Sequence, residues 1–198
     1  MNRGKILDAW RQKRAAGTLL QSGVDFIATS TVEISGLLPL GDANALSLRR
    51  ATERVAGADG IPVLAGVCAT DPLRLMETFL QEVKAAGAAG VQNLPSVGLI
   101  DGSFRKTLEE SRLGYAREVE MIGLASRMDL VAAAVAFSPE EARQMAEAGA
   151  DVVIAHPVHG PKKAVAEIAA AAREARKGIL VLAFGSASDG VDGIQSGT

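Results

Sequence analysis

One cysteine, two histidines, no excess of basic residues and no long apolar run: each scarcity removes a class of protein. The single thiol, Cys68, cannot close an internal disulfide, and that count suits a reducing, intracellular compartment. Lys and Arg total 21 against 23 Asp and Glu, a net charge of -2, so the chain has no basic field for nucleic acid. The longest uninterrupted apolar stretch, Leu130 to Phe137, is too short to cross a bilayer. The opening residues, MNRGKILDAWRQKRAAG, read as a charged amphipathic helix without the apolar core of a signal peptide. The expected setting is therefore cytoplasmic, with neither membrane nor nucleic acid as partner. No GxGxxG follows a strand, no GxSxG or Walker-type loop occurs, and no lysine lies within a predicted strand. These absences argue against dinucleotide binding, serine hydrolysis, P-loop chemistry and a Schiff-base aldolase.

What the chain does contain is a repeated phrase. Ser22-Gly23-Val24-Asp25-Phe26-Ile27-Ala28 returns as Ala89-Gly90-Val91-Gln92-Asn93, as Ala148-Gly149-Ala150-Asp151-Val152-Val153-Ile154-Ala155, and weakly as Asp189 to Ile194. Each reads as a glycine stop for a helix followed by a buried strand. Val63 to Val67, Leu130 to Phe137 and Ile179 to Phe184 are further near-continuous apolar runs, as parallel strands covered on both faces require. Helices are predicted over Asn44 to Ala56, Pro72 to Ala86, Ser138 to Ala148 and Ala164 to Lys177, with Asp71 as N-cap of the second and Ser138 opening a capping box in the third. The alternation predicts an α/β fold, a (β/α) TIM-type barrel in one domain over 1–198. About seven strands can be placed, one fewer than a closed barrel uses, so the expectation is an incomplete barrel with an open seam. Bare strand edges at such a seam invite a second copy, and a homo-oligomer is expected.

The longest functional-looking stretch runs from Gly90 to Met121. After a short strand it is expected to stay irregular for about a dozen residues before a helix bearing Glu109, Glu110, Glu118 and Glu120. Gln92 and Asn93 interrupt an apolar strand; alternate residues point oppositely, so one faces the barrel interior and the other a helix. Asn93, nearer the mouth, is the expected ligand contact. Arg105 and Lys106 could anchor a carboxylate or phosphate, or be solvated residues at a helix start. Glu118 and Glu120, two apart, face different sides of their helix.

Elsewhere, Asp71 could hold a metal, act as a base or cap a helix, and Asp42 and Asn44 carry the same ambiguity. Cys68 ends its strand either as a small hydrophobe or as a nucleophile needing a nearby base. His156 and His159, the only histidines, fall within four residues at a strand end, the best local clue to a proton-transfer site. With Asp42, Asp71 or Glu110 they could make a divalent-cation site, although no tight ligand motif is present. Gly185-Ser186-Ala187-Ser188 could cradle an anion or simply turn.

Several phrases together resemble one family. They are Gly36 to Asn44 (GLLPLGDAN), Pro62 to Pro72 (PVLAGVCATDP), Gly90-Val91-Gln92-Asn93, Val97 to Gly102 (VGLIDG), Phe104-Arg105, Leu108-Glu109-Glu110, Gly114-Tyr115 and Glu118 to Ile122. The match, over roughly residues 36 to 156, is to the phosphoenolpyruvate hydrolase-like TIM-barrel proteins, also called TIM-barrel signal-transduction proteins. The resemblance implies a TIM barrel related to phosphonopyruvate and phosphoenolpyruvate chemistry, and it places Glu110 and Tyr115 in the best-matched segment. The chain departs from the family pattern in lacking a first Gly/Ala-rich strand. Pro157-Val158-His159-Gly160 follows His156 in place of Gly-Leu-Thr-Thr-Gly-Gly, Ala183-Phe184-Gly185-Ser186 replaces Cys-His-Gly-Gly, and Val135 replaces a tyrosine.

The reading that follows is a lyase or hydrolase for a small oxo-acid or enol-type metabolite. His156, Asp71, Glu110 and Cys68 are the catalytic candidates; Asn93, Gln92, Arg105, Asp42, Asn44 and Tyr115 are the binding candidates. The cofactor is left open, with a divalent cation such as Mg²⁺ the candidate. The competing reading is a non-catalytic barrel that binds a ligand or serves as a regulatory or scaffold subunit.

Overall fold

A computed structural model describes residues 2–18, 20–29, 42–157, 164–186 and 188–196. The strands are β1 (Leu20–Gln21), β2 (Ile27–Thr29), β3 (Val63–Gly66), β4 (Gly90–Gln92), β5 (Val131–Ala136), β6 (Val152–Ala155), β7 (Leu180–Phe184) and β8 (Gly193–Gln195). They form one 8-stranded sheet, ordered β1-β8-β7-β6-β5-β4-β3-β2, and every pairing is parallel. The helices are α1 (Arg3–Ala15), α2 (Ala43–Ala56), α3 (Met76–Ala85), α4 (Gly102–Glu110), α5 (Tyr115–Arg127), α6 (Pro139–Ala148) and α7 (Ala164–Ala175).

The sheet is curled, and one contact shows it. Gln92 of β4 and Gln195 of β8 meet side chain to side chain at 3.2 Å although β5, β6 and β7 lie between their strands. Strand alternation then sorts the apolar residues into two layers. In β5, Val131, Ala133 and Val135 pack in the barrel interior with Leu64, Ile154, Leu180 and Leu182. Ala132, Ala134 and Ala136 face outward and pack with Ile122, Met145 and Ile168 of the surrounding helices. Both faces are covered, which is why these runs read as continuous rather than alternating hydrophobicity.

About seven strands were expected, and eight are present among the described residues. The additional one, β1, has only 2 residues and carries no apolar run to betray it. It leads into β2 through a turn containing Val24 and Asp25, whose N–H groups both donate to the Gln21 carbonyl, and the isolated parallel bridge Ser22–Phe26 is what joins the two across the seam. Among the described residues no helix separates β1 from β2. The charged first helix has a structural use instead. Ile6, Leu7 and Trp10 of α1 enter the interior layer beside Leu20 and Phe26, closing the amino-terminal end of the barrel. Arg3 fixes that plug through a bidentate pair with the buried Asp151 (2.8 and 3.0 Å), and Lys13 and Arg14 pair with Asp25 and Asp192.

Other boundaries move for local reasons. The helix expected from Pro72 begins at Met76, because Asp71 Oδ1 takes the Leu73 N–H and makes a short turn rather than a helix cap. The stretch expected to be irregular after Asn93 holds a 3-10 turn at Val97–Leu99 and then α4; Arg112 in the left-handed region (φ 61) and Gly114 divide α4 from α5. Ser138 accepts from the Glu141 N–H as expected, while Glu141 reaches back to the Phe137 N–H. Gly149 closes α6 with φ 107, a backbone setting that favours glycine.

Candidate active site

The carboxyl ends of the strands form the mouth, and three polar groupings occupy it. The first lies at the exit of β4. Asn93 is fully buried: its Oδ1 accepts from the Val135 N–H (2.6 Å), and its Nδ2 donates to the Val135 carbonyl (3.1 Å) and to Glu118 Oε2 (2.6 Å). Glu118, on the inner face of α5, also accepts from the Ser96 hydroxyl (2.7 Å) and, through Oε1, from the Val97 N–H (2.8 Å). Burial raises the Glu118 carboxyl to about 7 against the bonds from Asn93, Ser96 and Val97, which favour the ionised form. The Tyr115 hydroxyl donates to the Val135 carbonyl at 2.6 Å, and burial, with the nearby Glu118 and Glu141, pushes its pKa well up. Arg105 donates to Glu109 (2.7 Å), the Val97 carbonyl (2.9 Å) and Glu141 (3.3 Å), and stacks over Tyr115. This grouping pins the loop after β4 to α5.

The second grouping lies at the exit of β3. The buried Asn44 carboxamide accepts from the Cys68 N–H (2.9 Å) and donates to the Cys68 carbonyl and to Asp71 Oδ2 (3.0 Å each). Next to it Ser47 donates to the Gly66 carbonyl. Asp42 caps α2 by accepting from the Ala45 N–H and holds Arg74 through both its oxygens; the Arg74 bond, then the Ala45 N–H, keeps its carboxyl below the usual range. Asp42, Asp71, Leu73 and Arg74 line a cavity of about 290 Å³. Cys68 is buried, and desolvation raises its pKa, with smaller contributions from Asp71 and Glu118 in the same direction, so the thiol form prevails at neutral pH.

The third grouping spans the exits of β5, β6 and β7. The His156 ring stacks on Phe184 at 4.0 Å and 19° and tilts against Phe137 at 5.5 Å. Desolvation lowers its pKa, leaving a neutral imidazole at pH 7. Beside Phe184, its register partner Gln195 reaches across the interior to Gln92.

Asn93, Asp71 and His156 thus belong to three adjacent groupings, the first two close enough for Cys68 to feel both carboxylates. Of the amide pair at the end of β4, Gln92 faces the interior and Asn93 faces α5. Glu110 lies on the exposed face of α4 opposite Lys106 (3.8 Å), apart from these groupings. Arg105 is held by two carboxylates and a carbonyl, which leaves its positive charge internally balanced. His159 and Ala187 lie outside the described residues; the Gly185 N–H donates to the Gln195 carbonyl, which extends the β7–β8 ladder, and the Ser186 N–H turns back to the Phe184 carbonyl. Two residues were not anticipated. Glu118 was read only as one of two glutamates on opposite faces, and Glu120 is indeed the exposed one. Gln195 is signalled by the parallel between Gly90-Val91-Gln92 and Gly193-Ile194-Gln195, a match that follows strand position rather than helix boundary.

Eight parallel strands, curled so that β4 and β8 meet across the interior and open between β1 and β2, with polar groups gathered at the carboxyl ends, define an incomplete (β/α) barrel of the TIM type, as the sequence led us to expect. The model of the phosphoenolpyruvate hydrolase-like family matches residues 18–160, and the chain belongs to that family. The ToMV resistance protein Tm-1(GCR237) of Solanum lycopersicum is 54% identical over 123 residues, 62% of this chain and 16% of that protein. The protein y4oT of Sinorhizobium fredii (strain NBRC 101917 / NGR234) is 32% identical over 146 residues, 74% of this chain and 73% of that one. The chain therefore spans about a sixth of the tomato relative but nearly three quarters of the bacterial one. Among solved structures, a phosphonopyruvate hydrolase complex with oxalate and Mg²⁺ superposes with a TM-score of 0.60 at 16% identity, covering 98% of this chain and 80% of that one. An aldolase, QR15, superposes with a TM-score of 0.52 at 16% identity, over 98% of this chain and 84% of that one. Both likenesses concern the fold. No described helix is long and apolar enough to cross a membrane.

Proposed function

We propose that the chain is a lyase or hydrolase acting on a small oxo-acid or enol-type metabolite at the carboxyl-end mouth, in the cytoplasm. The observation that carries this reading is His156: a half-buried imidazole at a strand exit, held flat against Phe184 and kept neutral by desolvation. A neutral imidazole beside a barrel mouth can accept a proton from a bound acid and return it. Gln92, facing the interior below, would hold the substrate; Asn93, Asn44 and Asp71 act as positioning residues, because their polar atoms already serve the backbone around the mouth. The oxalate carried by the phosphonopyruvate hydrolase neighbour supports a small acid as the substrate class.

That neighbour also holds Mg²⁺. The described residues do not fit a divalent cation: no three His, Cys, Asp or Glu side chains come together, and Asp71 already accepts from Leu73 N and from Asn44.

Purified protein incubated with a panel of 2-oxo-acids and phosphoenolpyruvate, with product followed by NMR, tests the reading. Turnover should fall on the order of 10²-fold or more in His156→Ala. Activity that survives this change in a folded protein sinks the assignment.

A second reading, a non-catalytic ligand-binding or scaffold barrel, is favoured by one specific observation: Asn93, Asn44 and Arg105 all direct their polar atoms to protein partners. Saturable binding of a panel compound without turnover selects it. Either form is proposed as a homo-oligomer assembled over the β1–β2 seam, where Val24 is 62% exposed; light scattering returning a monomer would exclude that assembly.

A further inference from the structure

Gln92 and Gln195 are 1% and 2% exposed and make one hydrogen bond to each other, Gln195 Nε2 donating to Gln92 Oε1 at 3.2 Å. Among the described residues, Gln92 Nε2 and Gln195 Oε1 have no partner. Two unpartnered amide atoms side by side in a barrel interior are costly, on the order of 1–3 kcal/mol each, and call for an explanation.

The floor beneath them is apolar. Gly90 and Gly193 lie one inward position below the two glutamines, and a Cβ on Gly90 would meet Leu64 Cδ2 at 2.9 Å while one on Gly193 would meet Leu182 Cδ2 at 2.7 Å. The glycines let those leucines fill the axis under the amides, so no partner can come from below. On the mouth side, Phe184 is the register partner of Gln195 and stacks on His156. A partner for the free atoms therefore enters from the mouth. Among the described residues no charged side chain bonds to either amide, so the pair offers a neutral N–H donor and a neutral carbonyl acceptor. Exchanging O and N in both amides leaves the same combination, one donor group and one acceptor.

We propose that Gln92 and Gln195 are the recognition pair of the mouth, selecting a small acid that presents a hydrogen-bond donor beside an acceptor: a 2-hydroxy acid or the enol form of a 2-oxo-acid. This deepens, and rests on, the small-acid reading above. A keto acid or a dicarboxylate offers only acceptors and leaves the Gln195 carbonyl unpaired. The pair thus favours the enol over the keto tautomer, which is the direction in which proton transfer by His156 would take a bound oxo-acid.

Calorimetry with oxamate and oxalate on the 198-residue chain tests this. The two probes have nearly the same shape, but oxamate carries an N–H₂ donor where oxalate carries a second carboxylate oxygen and one more negative charge; a preference due to charge alone would persist in Gln195→Leu. Oxamate is expected to bind roughly tenfold tighter, the worth of one satisfied buried group. Gln195→Leu should erase that preference. The double variant Gln92→Leu/Gln195→Leu should lose binding while its melting temperature holds or rises, since apolar groups replace unpaired polar ones; a drop in melting temperature with unchanged binding would give the pair a packing role and overturn the proposal. Equal binding of both probes, unaltered by Gln195→Leu, overturns the pair and leaves the small-acid mouth standing. Binding of neither probe overturns the pair, and the turnover panel then decides whether the mouth reading falls with it.

Discussion

Asn93 Nδ2 lies 2.6 Å from Glu118 Oε2, and this bond ties the end of β4 to the inner face of α5. Because Glu118 also holds Ser96 and Val97, one buried carboxylate sets the path of the loop leaving β4. The side chain that anchors the loop is therefore one that the chain can protonate near neutral pH.

Burial raises Glu118 from 4.5 to about 7 in the folded protein. Between those values the native state binds more protons than the unfolded chain, so this group's stabilisation is complete below about 4.5 and is lost as pH rises through about 7. The wild type should therefore lose stability relative to Glu118→Gln as pH rises over that window, by an amount on the order of a few kcal/mol. Urea denaturation of both proteins at pH 5 and pH 8 measures it; a constant difference between them would contradict the assignment.

Arg3 and Asp151 make a bidentate pair with the Asp151 side chain 1% exposed, and Asp151 also accepts from the Ala132 N–H. Arg3→Met leaves that carboxylate with Arg176 at 3.9 Å as its nearest remaining cation among the described residues. A loss of roughly 3 kcal/mol is expected, as for other broken buried pairs. Trp10, the sole tryptophan, lies on the same helix, so its fluorescence should report the undocking of α1 directly.

Gly90 has no room for a side chain: a Cβ there would meet the Val131 carbonyl oxygen at 2.2 Å. Backbone cannot move aside as a flexible side chain can, so Gly90→Ala should cost about 3 kcal/mol or prevent folding. Gly178→Ala, with nothing within 4 Å but φ +80, should cost only about 1 kcal/mol. Thermal melts of the two variants side by side separate the effects of space from those of backbone conformation.

Cys68 is 3% exposed and its pKa is raised by burial, so the native protein should resist alkylation. Labelling by iodoacetamide at pH 8 should be at least about tenfold slower than in urea. Rapid native labelling would restore Cys68 as a nucleophile candidate.

Periodicity and continuous hydrophobicity in Val63 to Val67, Leu130 to Phe137 and Ile179 to Phe184 sufficed for a parallel (β/α) fold, because burial on both faces leaves a mark in every residue of a strand. The long phrases around Cys68 and Asn93 sufficed for the family. The 2-residue strand β1 left no such mark, and the turn of Asp71 could not be told from a helix cap, since both use the same carboxylate–N–H bond. Which amide of β4 faces inward, and that Gln195 from the far end of the chain meets it, depend on how the sheet curls and in what register. Spacing along a chain determines which residues share a face; only the curl of the sheet determines which faces meet. The Glu118 pKa belongs to that second kind, because desolvation is a property of the folded surroundings and not of the sequence.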